Sequence, residues 1–273
     1  MMENQKIAVI GGGNLGVAIA EGLLQSQAVA PQSLWVTRRR IQLIQYLEEK
    51  GIHLLSDNVH AVKQANIVIL AVKPGKINEV LQEIKPHLDL EKHILVSVVT
   101  GVSLVDIQEQ IGKNIILFRA MPNTAIAIRE SMTCVSSNNA TEAQQHLILT
   151  LFAYLGKAVM IGDELMAAAT VLGACGIAYS LRYIRAASQG GIEIGFDAET
   201  ARLIAAQMVK GAASLLLETG HHPEQEIDKV TTPQGCTIVG LNEMEHQGFS
   251  SALIKGIISS FNKIDHISQN YKS

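Results

Sequence analysis

Up to Gly162 the chain alternates short apolar runs with stretches whose apolar residues recur every three or four positions. Lys6 to Ile10, Leu34 to Thr37, Ile67 to Val72, Ile94 to Val99 and Ile115 to Arg119 have strand length and strand character. The run from Ile67 is almost wholly apolar, as expected of a parallel strand covered on both faces. Asn14 to Gln27 and Arg39 to Lys50 read as helices, and Met132 to Ser136 and Ala158 to Ile161 as edge strands. Strands spaced by crossover helices predict a doubly wound α/β sheet.

Past Gly162 the period changes. From Asp163 onward no strand pattern remains, and Ala198 to Thr219 and Ser250 to Ile267 carry helical spacing. Several of these helices are apolar around much of their circumference, and such a helix must be covered by something. A segment of about 110 residues has too little depth to bury them all, so it is expected to pack against a second copy of itself. The predicted organisation is therefore an α/β domain over 1–162 and an all-helical dimerisation domain over 163–273, forming a homodimer or a larger assembly of dimers.

Composition narrows the picture. The chain is 48% hydrophobic and 17% charged, which suits a packed core rather than disorder. A net charge of −3 and a pI near 6.3 argue against nucleic acid or an anionic membrane as the main partner. Three cysteines, Cys134, Cys175 and Cys236, lie far apart with no metal-ligand spacing, and read as reduced thiols of a cytoplasmic protein. No apolar signal region precedes Ile7, and no apolar run reaches the roughly 18 residues a membrane helix needs.

The first strand leads into Gly11-Gly-Gly13-Asn14-Leu15-Gly16, which opens a helix. In this strand-turn-helix setting GxGxxG is the dinucleotide fingerprint of a Rossmann-type domain. Gly11 makes the turn, Gly13 admits the pyrophosphate, and Gly16 lets helix and strand pack closely. Backbone N–H groups around Asn14 and Leu15 then face the phosphates. The second strand ends in Thr37-Arg38-Arg39-Arg40, with no acid before Glu48. An NAD site wants a carboxylate there for the ribose 2′-hydroxyl, whereas a guanidinium suits a 2′-phosphate. NADP(H) is the expected cofactor, with NAD(H) as the alternative; a solvated basic face is the competing reading of the arginines.

With this fingerprint, several further motifs resemble the pyrroline-5-carboxylate reductase family over about residues 6 to 262. Ala71-Val72-Lys73-Pro74 looks like that family's cofactor-contacting AVKP, and Asn58, in the preceding loop, matches a nucleotide-contacting position. Ser97 to Val102 is similar to its S-x-x-x-G-V turn, and Arg119 to Thr124 to its R-x-M-P-N-T segment. Thr231-Thr232-Pro233-Gln234-Gly235-Cys236-Thr237-Ile238 resembles the SPGGTTI loop that receives substrate. The resemblance implies NADPH-dependent reduction of a small cyclic imine, 1-pyrroline-5-carboxylate, to L-proline. Departures fall at Ala167, where the family has Asp, Ile177, where it has Pro, and Ser131 and Gln234, where it has Gly.

Reducing a protonated C=N asks the protein mainly for position, since the cofactor supplies the hydride. Main-chain N–H groups of Gly235, Cys236 and Thr237 are candidates for the substrate carboxylate. The Thr237 hydroxyl is the candidate partner of the ring nitrogen, and a helix N-cap is its ordinary alternative role. Lys73 reads as a cofactor neighbour rather than a Schiff-base lysine, and Arg119 as either an anion ligand or half of an ion pair. His221-His222 lacks further ligands at metal spacing and reads as a solvated turn, so no metal is expected.

Three rivals stay open. A β-hydroxyacid dehydrogenase shares this layout, but its second-domain proton shuttle would fall to Arg182, an arginine that keeps its proton. A non-catalytic NADP-binding paralogue and a reductase of a related cyclic imine are the others.

Overall fold

The computed structural model describes residues 2, 4–112 and 114–271, with side chains described up to residue 264. Its sheet contains β1 (Ile7–Ile10), β2 (Leu34–Thr37), β3 (His53–Leu55), β4 (Ile67–Leu70), β5 (Ile94–Ser97), β6 (Ile116–Met121), β7 (Ser131–Asn138) and β8 (Gly156–Met160). The order is β3-β2-β1-β4-β5-β6-β7-β8, parallel throughout except between β6 and β7. The chain order reverses beside β1, so β1 and β4 diverge at the crevice where doubly wound sheets bind ligands.

Burial on both faces explains the near-continuous apolar strands. On one face Val9, Ile69, Val96 and Phe118 pack with Ile19 and Leu23 of α1 (Asn14–Gln25) and Leu151 and Phe152 of α5 (Glu142–Ala153). On the other, Ile10, Val68 and Leu95 meet α2 (Asn58–Gln64), α3 (Ile77–Ile84) and α4 (Leu104–Ile111) through Val62, Leu81 and Ile107. Alternate strand residues serve opposite layers, as the period of two requires.

Three local expectations change. Arg39 to Lys50 holds only a 3-10 segment, Ile41–Leu47, broken by non-helical backbone at Ile44. Its two buried anchors, Ile44 and Leu47, are three apart, which suits 3-10 better than α-helical spacing. The strand read as an edge at Met132 runs over eight residues and lies between β6 and β8. Asn58, expected in a loop, is the first residue of α2, whose N-cap Asp57 accepts the His60 N–H at 3.0 Å.

Beyond β8 come α6 (Met166–Ala169), a π-helical turn over Thr170–Cys175, α7 (Gly176–Glu193), α8 (Ala198–Thr219), α9 (Pro223–Lys229), α10 (Cys236–His246) and α11 (Phe249–Tyr271). Packing divides the chain into a unit running up to Cys175 together with the chain from Phe261, and a second unit, Gly176–Ser260. Within the second unit α7 lies along α8, Tyr179 and Ser260 hydrogen-bond at 2.6 Å, and Tyr183 meets Phe249 edge to face. Asp197 caps α8, accepting the N–H groups of Glu199 and Thr200.

Little of this unit is buried. Ile194 is 78% exposed, Leu203 68%, Leu217 67% and Val239 66%, an apolar surface that calls for a cover. The expectation of no membrane-length apolar segment needs correction: the helix Asp163–Glu193 is long and apolar enough by length and composition. Its scattered charges break every uninterrupted run, yet they are few enough for the average to stay apolar.

Candidate nucleotide and substrate sites

The fingerprint turn is built as its residues require. Gly11 has φ +110°, and a Cβ there would lie 2.6 Å from the Ala71 carbonyl oxygen. At Gly16 a Cβ would stand 2.1 Å from the Gly11 carbonyl oxygen. Gly13 faces open space, with nothing within 4 Å of a Cβ position, and it is the N-cap of α1 without any side-chain cap. First-turn N–H groups of a helix lack intrahelical partners, so this is a cradle of donors at the positive end of a dipole. Asn14 is exposed and Leu15 half-buried beside it. A dinucleotide pyrophosphate fits the donor set.

Thr37 ties this turn to its neighbours. Its hydroxyl accepts the Gly11 N–H at 3.2 Å and donates to Asn58 Oδ1 at 2.6 Å, while its carbonyl takes the Gly12 N–H. Asn58 Nδ2 in turn donates to Glu83 at 2.8 Å. Arg38 Nη1 donates to the Gly12 carbonyl at 2.8 Å, which lays its guanidinium along the turn. Arg39 pairs with Glu79 of α3, and Lys76 reaches the same carboxylate at 2.8 Å. These two cations, Lys76 foremost, hold the Glu79 carboxyl below its ordinary range. Arg40 is exposed, and its side chain has no polar partner among the described residues.

Ala71 and Val72 line the glycine turn from β4, and Lys73 and Pro74 are exposed at the start of a short 3-10 turn. The ambiguity over Arg119 resolves to an ion pair: only 8% exposed, it donates from Nη1 to Asp163 at 2.8 Å, and Ser136 donates to the same carboxylate oxygen. Its Nε is buried without a partner among the described residues. Asn123 pins the π turn by donating to the Gly173 carbonyl, and its own N–H donates to Ser131 Oγ. Ser131, a departure from the family's glycine, thus fills a role in this chain. Ile177 is the second residue of α7 and directly follows the π-helical turn, inside the continuous helix Asp163–Glu193. Ala167 is half-buried in α6, and nothing in the structure explains the change.

In the second unit the proposed substrate loop ends earlier than expected, because α10 begins at Cys236. Gly235 is its N-cap and offers no side chain, so Thr237 is the second helical residue and does not cap. Its hydroxyl makes no hydrogen bond among the described residues. The Gly235 N–H is spent on the Thr232 carbonyl at 3.0 Å, which corrects its expected role as a donor to substrate. The open donors are the N–H groups of Cys236, Thr237 and Ile238. No acidic residue occupies this first turn. Gln234 has φ +57°, a left-handed conformation that glycine adopts without cost.

His221 pairs with Glu226, which also binds Lys229 at 2.7 Å, and His222 caps α9 by accepting the Glu224 N–H. Both histidines are therefore occupied structurally. Among the described residues no cluster of three metal-ligating side chains occurs. Sequence reasoning missed Glu79, Glu83 and the π turn. The carboxylates lie 40 and 25 residues from the side chains they bind, Arg39 and Asn58, so no local pattern announces them.

The family model described as pyrroline-5-carboxylate reductase dimerisation matches residues 163–267. A second, described as NADP oxidoreductase coenzyme F420-dependent, matches residues 6–101. Pyrroline-5-carboxylate reductase 1 of Dictyostelium discoideum is 47% identical over 94% of this chain, which spans only 49% of that protein. Pyrroline-5-carboxylate reductase 2 of the same organism is 43% identical over 96% of this chain and 93% of its own length. Among solved structures, a pyrroline-5-carboxylate reductase from Coxiella burnetii superposes with TM-score 0.91 at 29% identity, covering 97% and 99% of the two chains. The Plasmodium falciparum pyrroline carboxylate reductase, solved with NADP bound, gives 0.87 at 24% identity over 98% and 100%, a likeness of fold.

Proposed function

The chain belongs to the pyrroline-5-carboxylate reductase family, and from that membership we propose that it reduces 1-pyrroline-5-carboxylate to L-proline in the cytoplasm, using NADPH. When bound, the cofactor supplies the hydride. Residues 1–162 hold it: Gly13, Asn14, Leu15 and the start of α1 take the pyrophosphate, and Thr37, Arg38 and Arg39 the adenosine ribose. Asn58 steadies Thr37, and Ala71, Val72, Lys73 and Pro74 form the adjoining wall. Residues 163–273 bind substrate and dimerise.

The observation that carries this reading is the uncapped start of α10. The N–H groups of Cys236 and Thr237 hold the substrate carboxylate, and Gly235 lets the chain come close. The Thr237 hydroxyl, uncommitted elsewhere, bonds the ring nitrogen; it positions the imine and contributes little acid catalysis, because a hydroxyl is a weak acid. Apolar surface on α7, α8 and α11 supports burial in a homodimer, at the scale of an obligate interface of about 2,000 Å² or more. The deciding experiment is imine-dependent NADPH oxidation, run against a panel of cyclic imines and 3-hydroxy acids. Turnover of pyrroline-5-carboxylate above all others is expected. Preference for a six-membered imine or a hydroxy acid would overturn the assignment, and nucleotide binding without any turnover would point to a non-catalytic paralogue.

A further inference from the structure

We propose that Glu79 on α3 sets how strongly this protein prefers a nicotinamide cofactor bearing a 2′-phosphate, by occupying the cations that phosphate would meet. The inference rests on the nucleotide reading above and assigns a specificity role to a residue outside the fingerprint.

The end of β2 carries three arginines and no acid, which by itself predicts a strong preference for the phosphate. The tertiary structure alters that balance. Arg38 is engaged with the Gly12 carbonyl, and Arg39 is engaged with Glu79. Lys76 is bound to the second oxygen of the same carboxylate at 2.8 Å, which leaves Arg40 as the arginine of this stretch whose side chain has no polar partner among the described residues. One turn further along α3, Glu83 holds Asn58, and through it Thr37 and the Gly11 N–H. The end of β2 carries no carboxylate, and α3 brings two beside it, Glu79 and Glu83, at i and i+4 on one face.

They act differently. Glu83 meets a neutral amide and serves the geometry of the turn. Glu79 meets two cations and neutralises one of them: Arg39, Lys76 and Glu79 together carry a net charge of +1. A 2′-phosphate approaching Arg39 must displace this carboxylate or sit beside it, and both weaken the attraction. A 2′-hydroxyl is uncharged, and both Glu79 oxygens are already taken by Arg39 and Lys76, so its binding does not depend on them. All three side chains are at least half exposed, so the effect is bounded by the small worth of exposed ion pairs, a factor of about three to five.

The test is calorimetric titration of the full chain with 2′,5′-ADP, which carries the 2′-phosphate, and with 5′-AMP, which lacks it. Glu79→Gln should tighten 2′,5′-ADP by about three- to fivefold and leave 5′-AMP unchanged. The gain should shrink at high salt and be largely lost in an Arg39→Ala background. The same shift in both ligands, or no shift, refutes the proposal. Weaker 2′,5′-ADP binding also refutes it, since Glu79 would then be positioning Arg39 for the phosphate. If the unmodified chain binds neither nucleotide, the nucleotide reading falls and takes this inference with it.

Discussion

Replacing Thr237 by alanine separates a substrate contact from a structural one. The hydroxyl has no partner among the described residues, and the N-cap of α10 is Gly235, so truncation removes no cap and leaves no buried group unpaired. Alanine is also the better helix former, by a few tenths of a kcal/mol. The fold should therefore be unchanged or slightly stabilised. If the hydroxyl bonds the imine nitrogen, a hydrogen bond to a charged group is lost, worth about 1.5–3 kcal/mol. At about 1.4 kcal/mol per factor of ten, kcat/KM should fall roughly ten- to a hundredfold. Steady-state NADPH oxidation with pyrroline-5-carboxylate measures this, alongside urea denaturation and nucleotide titration. Thr237→Ser should keep most activity, and nucleotide affinity should not move. Unchanged kinetics with a stability loss of about 1 kcal/mol, the signature of a cap, would refute both the assigned role and the helix start.

Three further outcomes are expected. Gln234→Gly relieves a left-handed backbone, worth about 1–2 kcal/mol, against a comparable entropic penalty in the unfolded chain, so thermal stability should rise slightly; a large loss would show that the Gln side chain is needed. The same variant reports on substrate, because faster turnover of pyrroline-5-carboxylate would mean that the natural ring is a different imine. Asp163→Ala leaves the Arg119 guanidinium buried without its carboxylate, a loss of about 3 kcal/mol in urea unfolding; a change below about 1 kcal/mol would show that water replaces the pair. Burial holds the His93 imidazole below its ordinary pKa. The unfolded chain then binds the proton more readily, so the stability tied to His93 is present above about pH 6.5 and lost as pH falls through the lowered folded value. His93→Gln should flatten the pH dependence of Tm on the acid side of neutrality, and an unaltered profile would contradict the burial argument.

Local chemistry was enough to place β1, α1, β2 and α8, because each is defined by its own residues: apolar runs, a glycine turn that only glycine fits, a helical period ended by Gly220. The loop from Thr231 to Ile238 was also legible, since Pro and Gly restrict or free the backbone wherever they fall. The helix start inside it was not, because Gly235 caps without a side chain and leaves no signature. Nor was β3, three residues long with Leu54 alone buried, which exists because β2 offers an edge to pair with. The polarity of the nucleotide site shows the division most clearly. The arginines after β2 are written locally, but the charge they present depends on Glu79, brought from 40 residues away by the crossover through β4. Arg119 likewise became half of an ion pair only when β8 delivered Asp163 beside it. A side chain's type belongs to its own position, whereas its partner, and so its free charge, belongs to the fold.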